Sequence, residues 1–117
     1  MKSTLKKSSE EILQELVRRL GKGPIRKIIL FGSYAEGRAD EESDLDLYIV
    51  TSEETIPQSY EEQRDHYLEI SGRIRDLRGE FPIDLIVHTM GMYRKFLERG
   101  GSFARRIRDK GVVLYES

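Results

Sequence analysis

The sequence predicts an α+β fold, a small mixed β-sheet flanked by helices. Three observations carry this. Short β-rich runs at 25–31, 44–51 and 81–88 alternate with segments of helical spacing. The first such segment carries a helix start signal and one apolar stripe. The chain of 117 residues suffices for one domain with its own core and leaves little room for a second, so 1–117 is read as a single domain.

Each element follows from local chemistry. Ser8 with Glu11 three positions on makes a capping box, and Ile12, Leu13, Leu16, Val17 and Leu20 form the stripe that Gly21 ends. The run 25–31 (IRKIILF) ends almost continuously apolar, as a central strand covered on both faces does. Gly32-Ser33 breaks it, a short helix runs on through Ala35 and Glu36, and 37–43 is a polar loop. In 44–51 (DLDLYIVT), Leu45, Leu47 and Ile49 point one way, while Asp44, Asp46 and Tyr48 point the other. After a loop over 52–59, one charged helix is expected over 60–78, with Tyr60, Tyr67, Ile70, Ile74 and Leu77 on its apolar side and Gly72 weakening it. The strand 81–88 (FPIDLIVH) places Asp84, Ile86 and His88 on one face. A helix over 90–99 completes the order α-β-α-β-α-β-α; a basic helix over 102–109 and a short strand at 112–115 follow.

Composition excludes several classes. Charged residues make up 35% and hydrophobic ones 38%, a soluble balance. The absence of Cys excludes disulfides, thiolate zinc sites and thiol catalysis, and suits a reducing cytosol. Apolar runs are too short to span a bilayer, and the N-terminus has no apolar secretory core, so a cytoplasmic protein without membrane contact is expected. The net charge of −1 hides a pattern of +4 over residues 1–40, −9 over 41–90 and +4 over 91–117.

Three features carry chemistry. Asp44 and Asp46 lie at i and i+2 on one strand face, and like charges so close repel unless a cation lies between them. Hard oxygen ligands favour Mg²⁺, Mn²⁺ or Ca²⁺; a solvated polar strand face is the other reading. Asp84 interrupts an apolar run, where an ionised carboxylate needs a partner, either a basic helix residue or the same cation. Gly32-Ser33 closes a strand and opens a helix, as a simple turn or as a phosphate cradle of backbone N–H groups and a hydroxyl. It is not a P-loop, because no G-x-x-x-x-G-K is present. Arg38, His66, His88 and the arginines 105, 106 and 108 are read mainly as solvated or structural residues, and with no exposed aromatics interleaved, direct nucleic-acid binding is not expected.

Together the residues read GS-x10-D-x-D followed by a strand-borne Asp, and GSYAEGRADEESDLDLYIV with PIDLIV resembles the signature of the DNA polymerase β-type nucleotidyltransferases. The length is similar to that of their minimal members, and Tyr34 stands where other members carry Arg. The resemblance implies the nucleotidyltransferase fold and Mg²⁺-dependent transfer of a nucleoside monophosphate, AMP from ATP foremost, to an acceptor hydroxyl. It implies that Gly32 and Ser33 hold the triphosphate, that Asp44, Asp46 and Asp84 are catalytic and ligate Mg²⁺ or Mn²⁺, and that Asp84 favours deprotonation of the acceptor. It further implies a role as antitoxin to a HEPN-domain toxin, modified on a tyrosine. A non-catalytic toxin-binding module and a small-molecule enzyme of aminoglycoside type are the alternatives. Since the chain leaves no room for an acceptor-binding domain, the acceptor brings its own surface or a homodimer completes the site.

Overall fold

The structure, a computed structural model, describes residues 8–117. Helix α1 (Ser9–Leu20) starts as its sequence dictates: the Ser8 hydroxyl accepts from the Glu11 N–H at 3.2 Å, and the Glu11 carboxylate accepts from the Ser8 N–H at 2.9 Å. It is followed by β1 (Ile25–Phe31), α2 (Gly32–Ala35), β2 (Leu45–Thr51), α3 (Tyr60–Arg73), α4 (Arg75–Glu80), β3 (Ile83–Thr89), α5 (Met90–Arg99), α6 (Ser102–Lys110) and β4 (Val112–Glu116). The sheet order is β3-β2-β1-β4. β1 runs antiparallel to β2 and β4, and β2 runs parallel to β3, so the sheet is mixed and β1 lies inside it.

Both sheet faces are covered. Ile12, Leu16 and Leu20 of α1, with Ile70, Ile74 and Leu77, join Ile28, Leu30, Leu45, Leu47, Ile49, Ile83 and Val87 in the larger core. On the opposite face Ile29, Tyr48 and Val50 meet Met90 of α5 and Ile107 of α6, with Tyr93 and Phe96 packed against them. Burial of each large aliphatic side chain contributes about 1.5–3 kcal/mol, so the two layers fix where the strands sit.

The continuous helix expected over 60–78 is two helices. Ile74 leaves helical geometry at φ −124° and ψ 25°, ending α3 and starting α4. The break keeps Ile70, Ile74 and Leu77 all inside the core. Arg78 latches the corner, donating to the Ser71 hydroxyl at 2.6 Å, the Tyr67 hydroxyl at 3.0 Å and the Ile83 carbonyl at 3.2 Å. Tyr60, expected on the apolar side, is exposed. His66 is not a free surface residue: its Nε2 lies 3.1 Å from the Thr51 hydroxyl.

Thr89 joins strand, helix and loop. Its buried hydroxyl donates to the Thr55 carbonyl at 2.6 Å and accepts from the Met92 N–H at 3.1 Å, capping α5. Thr89→Val keeps the shape but strands both partners. It is expected to lower unfolding free energy by about 1–3 kcal/mol in urea titrations; an unchanged midpoint would show that the cap adds nothing.

Candidate active site

The parallel register of β2 and β3 sets Asp46 directly beside Asp84. The side-chain alternation that turns Leu45 and Leu47 into the larger core turns both carboxylates onto the other face. On the other flank β1 is antiparallel, and Phe31 pairs with Asp46. The next residue, Gly32, takes φ +78° and passes over the Asp46 carboxylate so closely that a Cβ would lie 3.0 Å from Asp46 Cγ and overlap Oδ2. Glycine is required twice over here, by backbone conformation and by space. Asp44 falls in the loop just before β2 rather than within the strand.

α2 is short, and no side chain caps its N-terminus. Ser33 and Gly32 are partly exposed on this turn. Their carbonyls accept from the N–H groups of Arg38 at 2.8 Å and Glu36 at 3.1 Å, which curls the chain back. The turn is anchored from α6: Arg106 grips Glu36 with two bonds of 2.8 Å, and Arg38 lies 3.5 Å from the same carboxylate. The Arg106 guanidinium holds Glu36 below the usual carboxylate range. Sequence reading missed this tie, since the basic run of α6 alone does not name its partner.

Asp46 is pushed up to about 6, first by burial and then by the negative charges of Asp84 and Asp44 beside it. Among the described residues no basic side chain makes an ion pair with Asp44, Asp46 or Asp84. Asp84 itself is exposed, because β3 is the edge of the sheet; the basic-helix partner that its apolar surroundings suggested is not needed. Also among the described residues, no three acids or histidines converge into a ready-made metal cage. The donor set nonetheless fits Mg²⁺, which takes one or two carboxylates and completes its shell with phosphate oxygens and water.

Behind the acids the same sheet face becomes aromatic. Tyr48 is fully buried, stacks on Phe96 at 5.4 Å between ring centroids, and its hydroxyl lies 2.5 Å from His88 Nδ1. Burial pushes His88 down, towards the neutral ring. His88 therefore has the structural role its sequence position suggested, and Tyr48 forms a fixed floor that the sequence pattern placed on the right face without assigning it a task.

A mixed sheet with paired acids beside a glycine turn is the arrangement that the resemblance to nucleotidyltransferases implied. The family model described as polymerase beta, nucleotidyltransferase, matches residues 10–117, and the chain belongs to that family. It is a nucleotidyltransferase. A Methanocaldococcus jannaschii protein, MJ0604, provisionally named a protein adenylyltransferase, is 32% identical over 111 residues, covering 92% of this chain and 99% of that one. A toxin–antitoxin crystal structure with AMP-PNP has the same fold, with TM-score 0.53 and 18% identity over 94% of this chain and 75% of that one. So does a complex of a tri-AMPylated Shewanella oneidensis HEPN toxin with MNT antitoxin, at TM-score 0.50 and 13% identity, covering 94% and 74%.

The raised Asp46 has a consequence for metal-free protein. A carboxyl whose folded pKa lies above the unfolded value of 3.8 favours the folded state only while protonated. Its penalty is absent below pH ~4 and complete above pH ~6. Asp46→Asn is therefore expected to stabilise the chelator-treated protein at pH 7.5 by about 1 kcal/mol, after discounting for solvent screening, with the gain vanishing near pH 4. Melting curves of both proteins across that range check it. A gain independent of pH would mean that ionisation of Asp46, disfavoured first by burial and then by the neighbouring acids, is not its source.

Proposed function

We propose that this enzyme transfers the adenylyl group of ATP to a hydroxyl on a protein acceptor, and that the acceptor is a tyrosine of a HEPN-type toxin for which it serves as antitoxin. The single observation that carries the reaction is the pairing of Asp46 with Asp84 beneath the Gly32 turn. The provisional name of the M. jannaschii relative and the toxin–antitoxin structures of the same fold support the acceptor class.

Asp44 and Asp46, with Asp84 beside them, would hold Mg²⁺. When bound, such a cation offsets the crowded negative charge and stabilises the oxygens of an in-line displacement. The protein's own part is positional. Gly32 leaves room for phosphate to approach the backbone, and Ser33 offers a hydroxyl donor at the opening of α2. The acceptor oxygen bonds to the α-phosphorus as the bond to the β-phosphate oxygen breaks, and pyrophosphate leaves. Asp84, exposed at the sheet edge, is open to an acceptor from outside. Its charge favours loss of the acceptor's proton.

The test is label transfer from α-labelled ATP, with Mg²⁺, to a candidate HEPN partner. Asp84→Asn keeps the side chain's shape and removes its charge. It is expected to leave the protein folded, melting no lower than the wild type, with most ATP binding retained, while transfer falls by at least about 10²-fold. Near-normal transfer by the folded variant would remove Asp84 from the chemistry. An absence of transfer by the wild-type enzyme would leave a docking module in place of a catalyst.

A further inference from the structure

A cleft of about 450 Å³ opens between α5 and α6 on the sheet face that carries the acids. Met92, Lys95, Phe96 and Arg99 recur at helical spacing and share one side of α5. Phe103 of α6 closes the far wall, and His88 lies at the base. The lining is mostly apolar and contains no Asp or Glu. Among the described residues neither Lys95 nor Arg99 has an ion-pair partner, whereas Arg94, one position from Lys95, is paired with Glu54. Two exposed cations thus face an apolar groove with no carboxylate among the described residues to answer them.

A row of packed rings links the cleft wall to the strand that carries the acids' neighbour. Phe103 packs edge-on against Phe96 at 5.6 Å and against Phe31 at 5.5 Å, and Phe31 is the strand partner of Asp46. His88 follows Asp84 by four residues on the same strand face. That is about 13 Å along the strand. An extended segment leaving the cleft spans this distance with about four residues, or fewer where a tyrosine side chain projects the rest of the way.

Resting on the reading of a protein acceptor, we infer that the α5–α6 cleft docks the acceptor polypeptide through a segment that is both apolar and acidic. Lys95 and Arg99 pair with its carboxylates, and Phe96 and Phe103 receive its apolar side chains. A polynucleotide fits less well, because it calls for a longer track of cations, and in the neighbouring α6 Arg106 and Arg108 are already paired with Glu36 and Asp109 and Arg105 is bonded to the Gly100 carbonyl.

The probe is a fluorescently labelled random copolymer of Glu and Tyr, with a Lys–Tyr copolymer and a single-stranded oligouridine as comparators. The wild-type enzyme is expected to bind the Glu–Tyr polymer and not the Lys–Tyr polymer. Lys95→Glu/Arg99→Glu should weaken that binding at least about tenfold, since reversal places like charges in contact. Arg64→Glu/Arg75→Glu, on the exposed sides of α3 and α4, should not. Binding of ATP with Mg²⁺, unchanged in both variants, reports that they fold. Equal weakening by the two variants, or no preference between the copolymers, overturns the inference. Tighter binding of oligouridine, lost on reversal at Lys95 and Arg99, overturns it in favour of nucleic acid. Label transfer separates the two claims. Cleft-dependent binding without transfer contradicts protein adenylylation alone, and transfer indifferent to Lys95 and Arg99 contradicts the docking site alone.

Discussion

Asp46 and Asp84 are held side by side by backbone hydrogen bonding between β2 and β3, not by any attraction between them. The register that buries Leu45, Leu47, Ile83 and Val87 leaves no freedom to separate the two carboxylates, because a slip of either strand by one residue would turn its apolar residues out of the core. Burial first, and then the like charges so placed, raise the pKa of Asp46. The fold accepts that repulsion, and the chain supplies no cation among its described residues to relieve it. A proton on Asp46 relieves it below about pH 6, and a divalent cation, which hard oxygen ligands suit, would relieve it above.

The remaining parts of the site depend on this pair. Gly32 presses its backbone against Asp46, so the turn and the acids form one surface. Glu36 and Arg106 then fasten the turn to α6, a helix that packs on the same sheet face through Ile107. α5 and α6 cover Tyr48 and Val50. Exposure at Asp84 and partial exposure at Asp46 leave the acids open to a partner. The aromatic floor formed by Tyr48, Phe96 and His88 provides a rigid support two residues behind Asp46.

Much of this was legible in the sequence, and the limits have physical causes. The cap of α1, the four strands and the short helix after β1 followed from local patterns, as did the face shared by Asp46 and Tyr48. Alternation tells which residues share a face, but not which strand is the neighbour or which strand is the edge. Asp84 therefore looked like a buried charge in an apolar run, whereas it stands in water at the edge of the sheet. The break at Ile74 was hidden because the apolar spacing of Ile70, Ile74 and Leu77 suits one helix as well as two. Arg78 closes that corner through side-chain bonds that no periodicity reveals. His66 likewise gave no sign of its bond to Thr51, a contact between elements distant in register rather than in pattern.

The central claim is that the acids and the glycine turn form one metal–triphosphate site. Titration of Mn²⁺ followed by electron paramagnetic resonance, with and without a non-hydrolysable ATP analogue, tests it most directly. The account predicts weak binding by the protein alone, at least about tenfold tighter binding with the analogue present, and loss of that enhancement in Asp44→Asn/Asp46→Asn. Equal binding of Mn²⁺ with analogue by the wild type and the double variant would contradict it.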